Sequence, residues 1–199
     1  CTPSGGTYLW SNNQSTSSIT TSPSQTITYN LLYVLNGCNA TGTATVTVNP
    51  IPTLTSTSAT ICAGQSASLT ASSNLAGGNY AWSSGSTTNT ENVSPSTTTT
   101  YSVTYTLNNC NSLPSTSTVT VNPVPVVSIT STSICEGQSA TISATANLPG
   151  GTYLWSPNGN TSSSVTDSPL STTSYSVVYT LNNCPSISTI GTITVVPLP

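Results

Sequence analysis

Residues 99–110 read Thr-Thr-Tyr-Ser-Val-Thr-Tyr-Thr-Leu-Asn-Asn-Cys, and this stretch decides the fold. Tyr101, Val103, Tyr105 and Leu107 alternate with polar residues, the period of two that marks a strand with one buried and one wet face. Asn108-Asn109 follows as a turn signal, with Cys110 directly after it. The alternation recurs on both sides, at Ala67, Leu69 and Ala71, at Tyr80 and Trp82, and at Val119 and Val121. Ala63-Gly64-Gln65, Ala76-Gly77-Gly78 and Ser94-Pro95 punctuate these runs. Thr and Val suit such a pleated surface, and no segment carries a helical period.

The pattern is one unit of a series. Trp10, Trp82 and Trp155 lie 72 and 73 residues apart. Each follows a tyrosine by two positions (Tyr8, Tyr80, Tyr153) and precedes a Tyr-x-x-x-Tyr pair: Tyr29 and Tyr33, Tyr101 and Tyr105, Tyr175 and Tyr179. These account for all nine tyrosines and all three tryptophans, so no aromatic is left for a role peculiar to one unit. A fixed period of this length means a string of similar small domains. The reading divides the chain into residues 1–52, which lack the first two strands of the unit, then 53–125 and 126–199. Seven or so short strands per unit argue an all-β fold of tandem sandwiches with Ig-like wiring. Trp10, Trp82, Trp155, Tyr33, Tyr105 and Tyr179 are the expected structural core. The units end in Asn49-Pro50-Ile51-Pro52, Asn122-Pro123-Val124-Pro125 and Val196-Pro197-Leu198-Pro199. Alternating proline stiffens such joints, so the domains are expected to stack end to end as a rod.

Charge excludes several functions. The chain has no Lys, Arg or His, and its three acids are Glu91, Glu136 and Asp167. Without cations it has nothing to neutralise phosphates, so no nucleic-acid partner is expected. Catalysis lacks a base, an electrophile and any group to activate a serine, and no cofactor is implied. Glu91 aligns with Ser164, Glu136 with Ala63 and Asp167 with Val93, so the acids are not paired and read as solvated surface charges. The same scatter argues against a calcium site. The parity of Tyr80 with Trp82 puts both rings on the core face, which argues against a sugar-stacking platform. No apolar run approaches twenty residues, so no membrane insertion is expected, and an export signal is expected to lie outside these residues.

Small domains of this size need staples, and six cysteines are present. Cys62 and Cys135 occupy one repeat position; Cys38, Cys110 and Cys184 occupy another. There is no C-x-x-C spacing and no histidine for zinc, so disulfides and an oxidising, extracellular or cell-surface setting are expected. Two pairings stand open. One closes each domain on itself, Cys62 with Cys110 and Cys135 with Cys184. The other follows from Ig wiring, which puts the Cys-x-Gly-Gln turn and the Asn-Asn-Cys hairpin at opposite ends of a sandwich, farther apart than the 7 Å or so that a disulfide spans. It joins Cys62 to Cys184 across a joint. Cys1 aligns with Ala146, at the Cys38 end of its domain, where pairing with Cys38 is expected.

The runs Ile-Cys-x-Gly-Gln-Ser-Ala, Gly-Gly-x-Tyr-x-Trp-Ser, Thr-Thr-x-Tyr-Ser-Val-x-Tyr, Asn-Asn-Cys and Thr-Val-Thr-Val-Asn-Pro resemble the Ig-like/PKD-like repeats of large secreted and cell-surface proteins of Bacteroidota. The residues from Trp82 to Gly85 lack the aspartates of PKD domains proper. The resemblance implies a segment of an adhesin, a surface filament, or a spacer attached to an enzyme. The reading is a non-catalytic structural repeat segment whose partners are neighbouring copies or further repeats. The alternatives are a ligand-binding adhesin module for carbohydrate or another surface, and a spacer within a secreted enzyme. Ser and Thr make up about two residues in five. That surface reads either as strand-compatible polar covering or as an O-glycosylated coat that keeps a weakly charged chain soluble, and Asn-x-Ser/Thr sequons, further candidate glycosylation sites, begin at Asn13, Asn39, Asn92 and Asn160.

Overall fold

The structure, a computed structural model, describes residues 5–198. Every regular element among them is a strand, nineteen in all. The first repeat forms β1 (Thr7–Trp10), β2 (Ile27–Leu35) and β3 (Cys38–Val46). The second forms β4 (Leu54–Ser56), β5 (Ala59–Cys62), β6 (Ala67–Ser73), β7 (Asn79–Trp82), β8 (Thr90–Val93), β9 (Thr99–Leu107), β10 (Cys110–Asn111) and β11 (Ser115–Asn122). The third forms β12 (Val127–Ile129), β13 (Thr132–Cys135), β14 (Ala140–Ala146), β15 (Thr152–Ser156), β16 (Ser164–Asp167), β17 (Thr173–Leu181), β18 (Cys184–Pro185) and β19 (Thr189–Val196). The chain gathers into two compact units. One holds the residues up to Thr53 with Ser73–Asn79 and Tyr105–Leu113; the other holds Leu54–Ser72, Tyr80–Thr104 and everything from Pro114 onward.

In the second and third repeats one sheet has three strands, ordered β4-β6-β8 and β12-β14-β16. The facing sheet runs β7-β9-β11-β5 and β15-β17-β19-β13, with short β10 and β18 extending the hairpins from β9 and β17. The first strand of each repeat is split: its second half, β5 or β13, leaves the three-stranded sheet and pairs parallel with the last strand. That strand switch, with antiparallel pairing elsewhere, is the wiring of an Ig-like sandwich. The chain is thus an all-β tandem of Ig-like β-sandwiches.

Alternation puts the apolar residues of both sheets between the layers. In the second repeat Leu69, Val103 and Val119 are fully buried, joined by Trp82, Ala71 and Ile61. In the third, Ile142, Val177, Ile193, Trp155 and Tyr179 do the same. Each such side chain stabilises by about 1.5–3 kcal/mol on burial. Each indole N–H is satisfied locally: Trp82 Nε1 donates to the Thr88 carbonyl at 3.0 Å, Trp155 Nε1 to Ser162 at 2.8 Å and Trp10 Nε1 to Thr16 at 3.0 Å.

Buried tyrosines tie strand to loop. Tyr105 Oη donates to the Leu75 carbonyl at 2.7 Å and accepts from the Gly78 N–H at 2.7 Å. Tyr179 makes the same pair with Leu148 at 2.8 Å and Gly151 at 2.6 Å. The glycines are required there. A Cβ on Gly78 would lie 2.4 Å from the Thr106 carbonyl oxygen and 2.7 Å from the Tyr105 ring, and Gly151 has the same conflicts with Thr180 and Tyr179.

Two expectations are corrected. Trp10 and Tyr33 are half-buried, unlike Trp82, Trp155, Tyr105 and Tyr179. They share one face of the three-stranded sheet β1-β2-β3, where Tyr8 lies opposite Tyr33 and Trp10 opposite Leu31. Tyr29 on that face is buried, but Ile27 and Val46 are 43 % and 37 % exposed. Among the described residues of this repeat there is no counterpart of β4 and β6 to cover that face.

Glu91 is the second correction. It is buried, 8 % exposed, and lies opposite Leu69 just as Val165 lies opposite Ile142. The one-residue offset between repeats falls before this strand, so Glu91 occupies a core valine position rather than the half-buried position of Ser164. Oε1 accepts from the Ser84 hydroxyl, while buried Oε2 has no hydrogen-bond partner. Glu136 and Asp167 are exposed, as expected of solvated charges.

Candidate functional site: a cross-linked joint

The residues that distinguish this chain chemically meet at a joint between repeats. After β5 the chain turns through Cys62-Ala63-Gly64-Gln65, with Gly64 at φ +85°. The Gln65 N–H donates to the Cys62 carbonyl at 3.0 Å, and the Cys62 N–H donates to Gln65 Oε1 at 3.1 Å. The Ala63 N–H extends the parallel pairing by donating to the Asn122 carbonyl at 2.8 Å. This sequence therefore holds one thiol rigidly at the end of a strand.

The second thiol comes from a hairpin. Leu181 and Cys184 pair across a two-residue turn in which Asn182 and Asn183 take φ +49° and +62°. Positive φ at both central residues defines the turn type that matches strand twist, and Asn tolerates it. Cys184 so presented bonds Cys62, with S–S 2.02 Å and Cα atoms 5.6 Å apart. The bond is sequestered: Cys184 is 1 % and Cys62 8 % exposed. Asn122 Nδ2 donates to the Asn182 carbonyl at 3.3 Å beside it. Of the two pairings left open by the sequence, the structure makes the one across the joint.

The preceding joint repeats this arrangement without a disulfide. Asn49 Nδ2 reaches the Asn108 carbonyl at 3.5 Å, and Cys110 Sγ lies 3.8 Å from the Asn49 carbonyl oxygen. Both joints are anchored alike: Pro52 and Pro125 are fully buried. Asn74 and Thr53 exchange hydrogen bonds at 2.8 and 3.2 Å, as Asn147 and Val126 do at 2.8 and 3.0 Å. Sequence reading named the prolines and missed the asparagines, although Asn-Pro-x-Pro at two of the three joints carries the signal for one of them.

Cys38, Cys110 and Cys135 form no disulfide among the described residues; Cys38 and Cys135 are exposed and Cys110 is half-buried. The expected Cys1–Cys38 pair involves a residue outside the described ones. The sequons Asn13, Asn39 and Asn92 are exposed. Asn160 is half-buried, its Oδ1 accepting from the Ser162 N–H at 2.7 Å. Among the described residues no three His, Cys, Asp or Glu side chains are grouped to hold a metal, and no helix is long and apolar enough to cross a membrane.

One electrostatic contact is peculiar to the third repeat. The Tyr175 hydroxyl donates to Asp167 Oδ2. That bond, with the Ser168 N–H, holds the Asp167 carboxyl below its ordinary range. Burial, reinforced by the adjacent carboxylate, pushes the Tyr175 phenol up to about 12.

Strand order, split first strands and paired cores define the class: tandem Ig-like β-sandwiches joined by a disulfide between successive repeats. No protein-family model and no curated protein matches the chain. Among solved structures it is similar to Drosophila OTK, extracellular domains 3–5, at 10 % identity and TM-score 0.49, covering 96 % of this chain and 85 % of that one. It is also similar to DIP-gamma IG1+IG2, at 16 % identity and TM-score 0.39, covering 73 % of this chain and 98 % of that one. A titin tandem, I9–I11, matches at 14 % identity and TM-score 0.36, covering 98 % and 89 %.

Proposed function

We propose that this chain is a load-bearing, non-catalytic repeat segment of an extracellular filament or cell-surface adhesin stalk. The repeats serve as its domains, 1–52, 53–125 and 126–199. The observation that carries the reading is the disulfide from Cys62 to Cys184, spanning 122 positions and joining successive repeats rather than closing either one. A bond within one sandwich would leave the joint to be held by the chain alone. A bond across the joint instead gives tension a covalent route past both folds. Disulfides persist in oxidising compartments, which supports an extracellular location. The absence of Lys, Arg and His supports a passive role, since such a chain offers few groups for chemistry and no sites for proteases that cut after basic residues.

Immunogold electron microscopy of unreduced native material, with antibody raised against these repeats, tests the reading. Label strung along surface fibres or stalks is the expected result. Label confined to the cell interior, or to discrete secreted enzyme particles, would overturn it.

A further inference from the structure

The core of the second repeat holds a carboxylate for which the chain supplies no counter-charge. Glu91 is 8 % exposed and lies opposite Leu69, where Val165 lies opposite Ile142 in the third repeat. Nine residues after its tryptophan, the first repeat carries Ile19 at this place. The unit therefore accepts an aliphatic side chain here and does not require an acid. A buried carboxylate is ordinarily matched by a cationic side chain or a metal ion. With no Lys, Arg or His in the sequence, the first of these is closed to this protein. Whatever balances Glu91 comes from solution.

Its two oxygens are differently placed. Oε1 accepts from the Ser84 hydroxyl, while Oε2 is buried and meets no hydrogen-bond partner among the described residues. A proton on Oε2 would be a buried donor without an acceptor, so protonation exchanges one unsatisfied group for another. A metal ion binds the oxygen itself and needs no such acceptor. Ser84 is exposed, so this second oxygen stands at the boundary with water. The loop that carries it is pinned. The Trp82 N–H donates to the Ser86 carbonyl at 2.9 Å, the Gly85 N–H to the Trp82 carbonyl at 2.9 Å, and Trp82 Nε1 to the Thr88 carbonyl at 3.0 Å. In the third repeat Pro157 follows the tryptophan by two residues as Ser84 does here, so the hydroxyl and the acid are missing together.

We propose that Glu91 and Ser84 bind a small hard metal cation, sodium or calcium, with water completing its shell. The donors are oxygens only, the ligands that such ions take. One carboxylate among neutral oxygens is not the cage of several carboxylates that the scattered acids exclude; it suits an ion held weakly and exchanged with the medium. The bound cation offsets the burial of the carboxylate and stabilises the second repeat alone. The contrast with valine at this position therefore narrows as the ion is added.

Calorimetry of the native protein, with Cys62–Cys184 intact, tests the site in calcium, sodium and tetramethylammonium chlorides at matched ionic strength and pH. Calcium or sodium is expected to raise the midpoint of the second repeat in a saturable way. Tetramethylammonium, which oxygens cannot coordinate closely, should not. A response to calcium alone makes the ion divalent, and a response to sodium alone makes it monovalent. Glu91→Gln keeps the shape without the charge and should remove the response, while Glu136→Gln and Asp167→Asn retain it. Terbium, a hard ion whose emission a nearby indole sensitises, reads binding directly, because Trp82 begins the loop that carries Ser84. Its emission should appear with the native protein, fall when the salt that raised the midpoint is added, and vanish in Glu91→Gln. Ser84→Ala should weaken terbium binding about tenfold. Equal midpoints in all three salts, or terbium emission that Glu91→Gln leaves unchanged, would overturn the site. So would a midpoint that follows pH and no metal, which would give the counter-charge to a proton. None of these results bears on where native material labels with antibody, so the two readings fail separately.

Discussion

If Cys62 and Cys184 are bonded, pulling on the two ends of this chain never stretches the residues between them. Tension runs through β5 into Cys62, crosses the disulfide, and leaves from Cys184 through β18 and β19. The cysteines stand 122 positions apart with Cα atoms 5.6 Å apart. At about 3.6 Å per extended residue, the bond withholds about 43 nm of contour length. Single-molecule force spectroscopy on the end-tethered protein, held at constant force in buffer without reductant, is expected to reach a plateau short of full extension by that amount. Adding a thiol reductant should release the missing length in one event per molecule. Because both sulfurs are sequestered, with Cys184 only 1 % exposed, release should follow force-induced opening of the joint rather than precede it. The alternative pairing sets a different scale. Cys62 with Cys110 and Cys135 with Cys184 enclose 48 and 49 positions, so each would release about 17 nm. Two steps of that size, or full extension without reductant, would refute the pairing and with it the covalent route for load.

Three further outcomes follow from the cores. Glu91→Val should raise the unfolding midpoint of the second repeat, because the third already holds Val165 there. Replacing a buried carboxylate that leaves one oxygen unpartnered should stabilise by about 1–3 kcal/mol, read by calorimetry; a lower midpoint would refute it. Gly151→Ala should destabilise by about 1–3 kcal/mol through collision with the Thr180 carbonyl and the Tyr179 ring. Gly42→Ala, whose Cβ meets nothing within 4 Å, should move the midpoint little, and equal effects would refute the close-approach argument. The third repeat should lose stability as pH rises from about 10, the ordinary tyrosine value, towards the value of about 12 for Tyr175, because the folded state keeps a proton that the unfolded chain releases. Asp167 contributes in the opposite arm: its lowered value gives stability above the ordinary carboxylate range, lost as pH falls through it, and small because the group is exposed. Asp167→Val, the residue at this position in the second repeat, should shrink both arms, and an unchanged alkaline limb would show that burial alone raises the phenol.

The sequence determined the strands, because alternation at Tyr101, Val103, Tyr105 and Leu107 is a local property, fixed by which face of a pleated strand must be dry. It determined the repeat, because twelve aromatics at four positions leave no other period. It also determined the turns that hold Cys62, Cys135 and the hairpin cysteines, since Gly and Asn at positive φ act through their own backbone. Tertiary structure decided everything that depends on which surfaces meet. A one-residue offset carried Glu91 from an apparent surface position into a core valine site, and only strand register reveals that. The absence of a second layer among the described residues of the first repeat left Trp10 and Tyr33 half-buried although their sequence pattern equals that of Trp82 and Tyr105. The cysteine spacing permitted two pairings, and the joint chose between them. A disulfide forms where two Cβ atoms come within a few ångströms, and that proximity is set by how one repeat's turn meets the next repeat's hairpin, 122 positions along the chain.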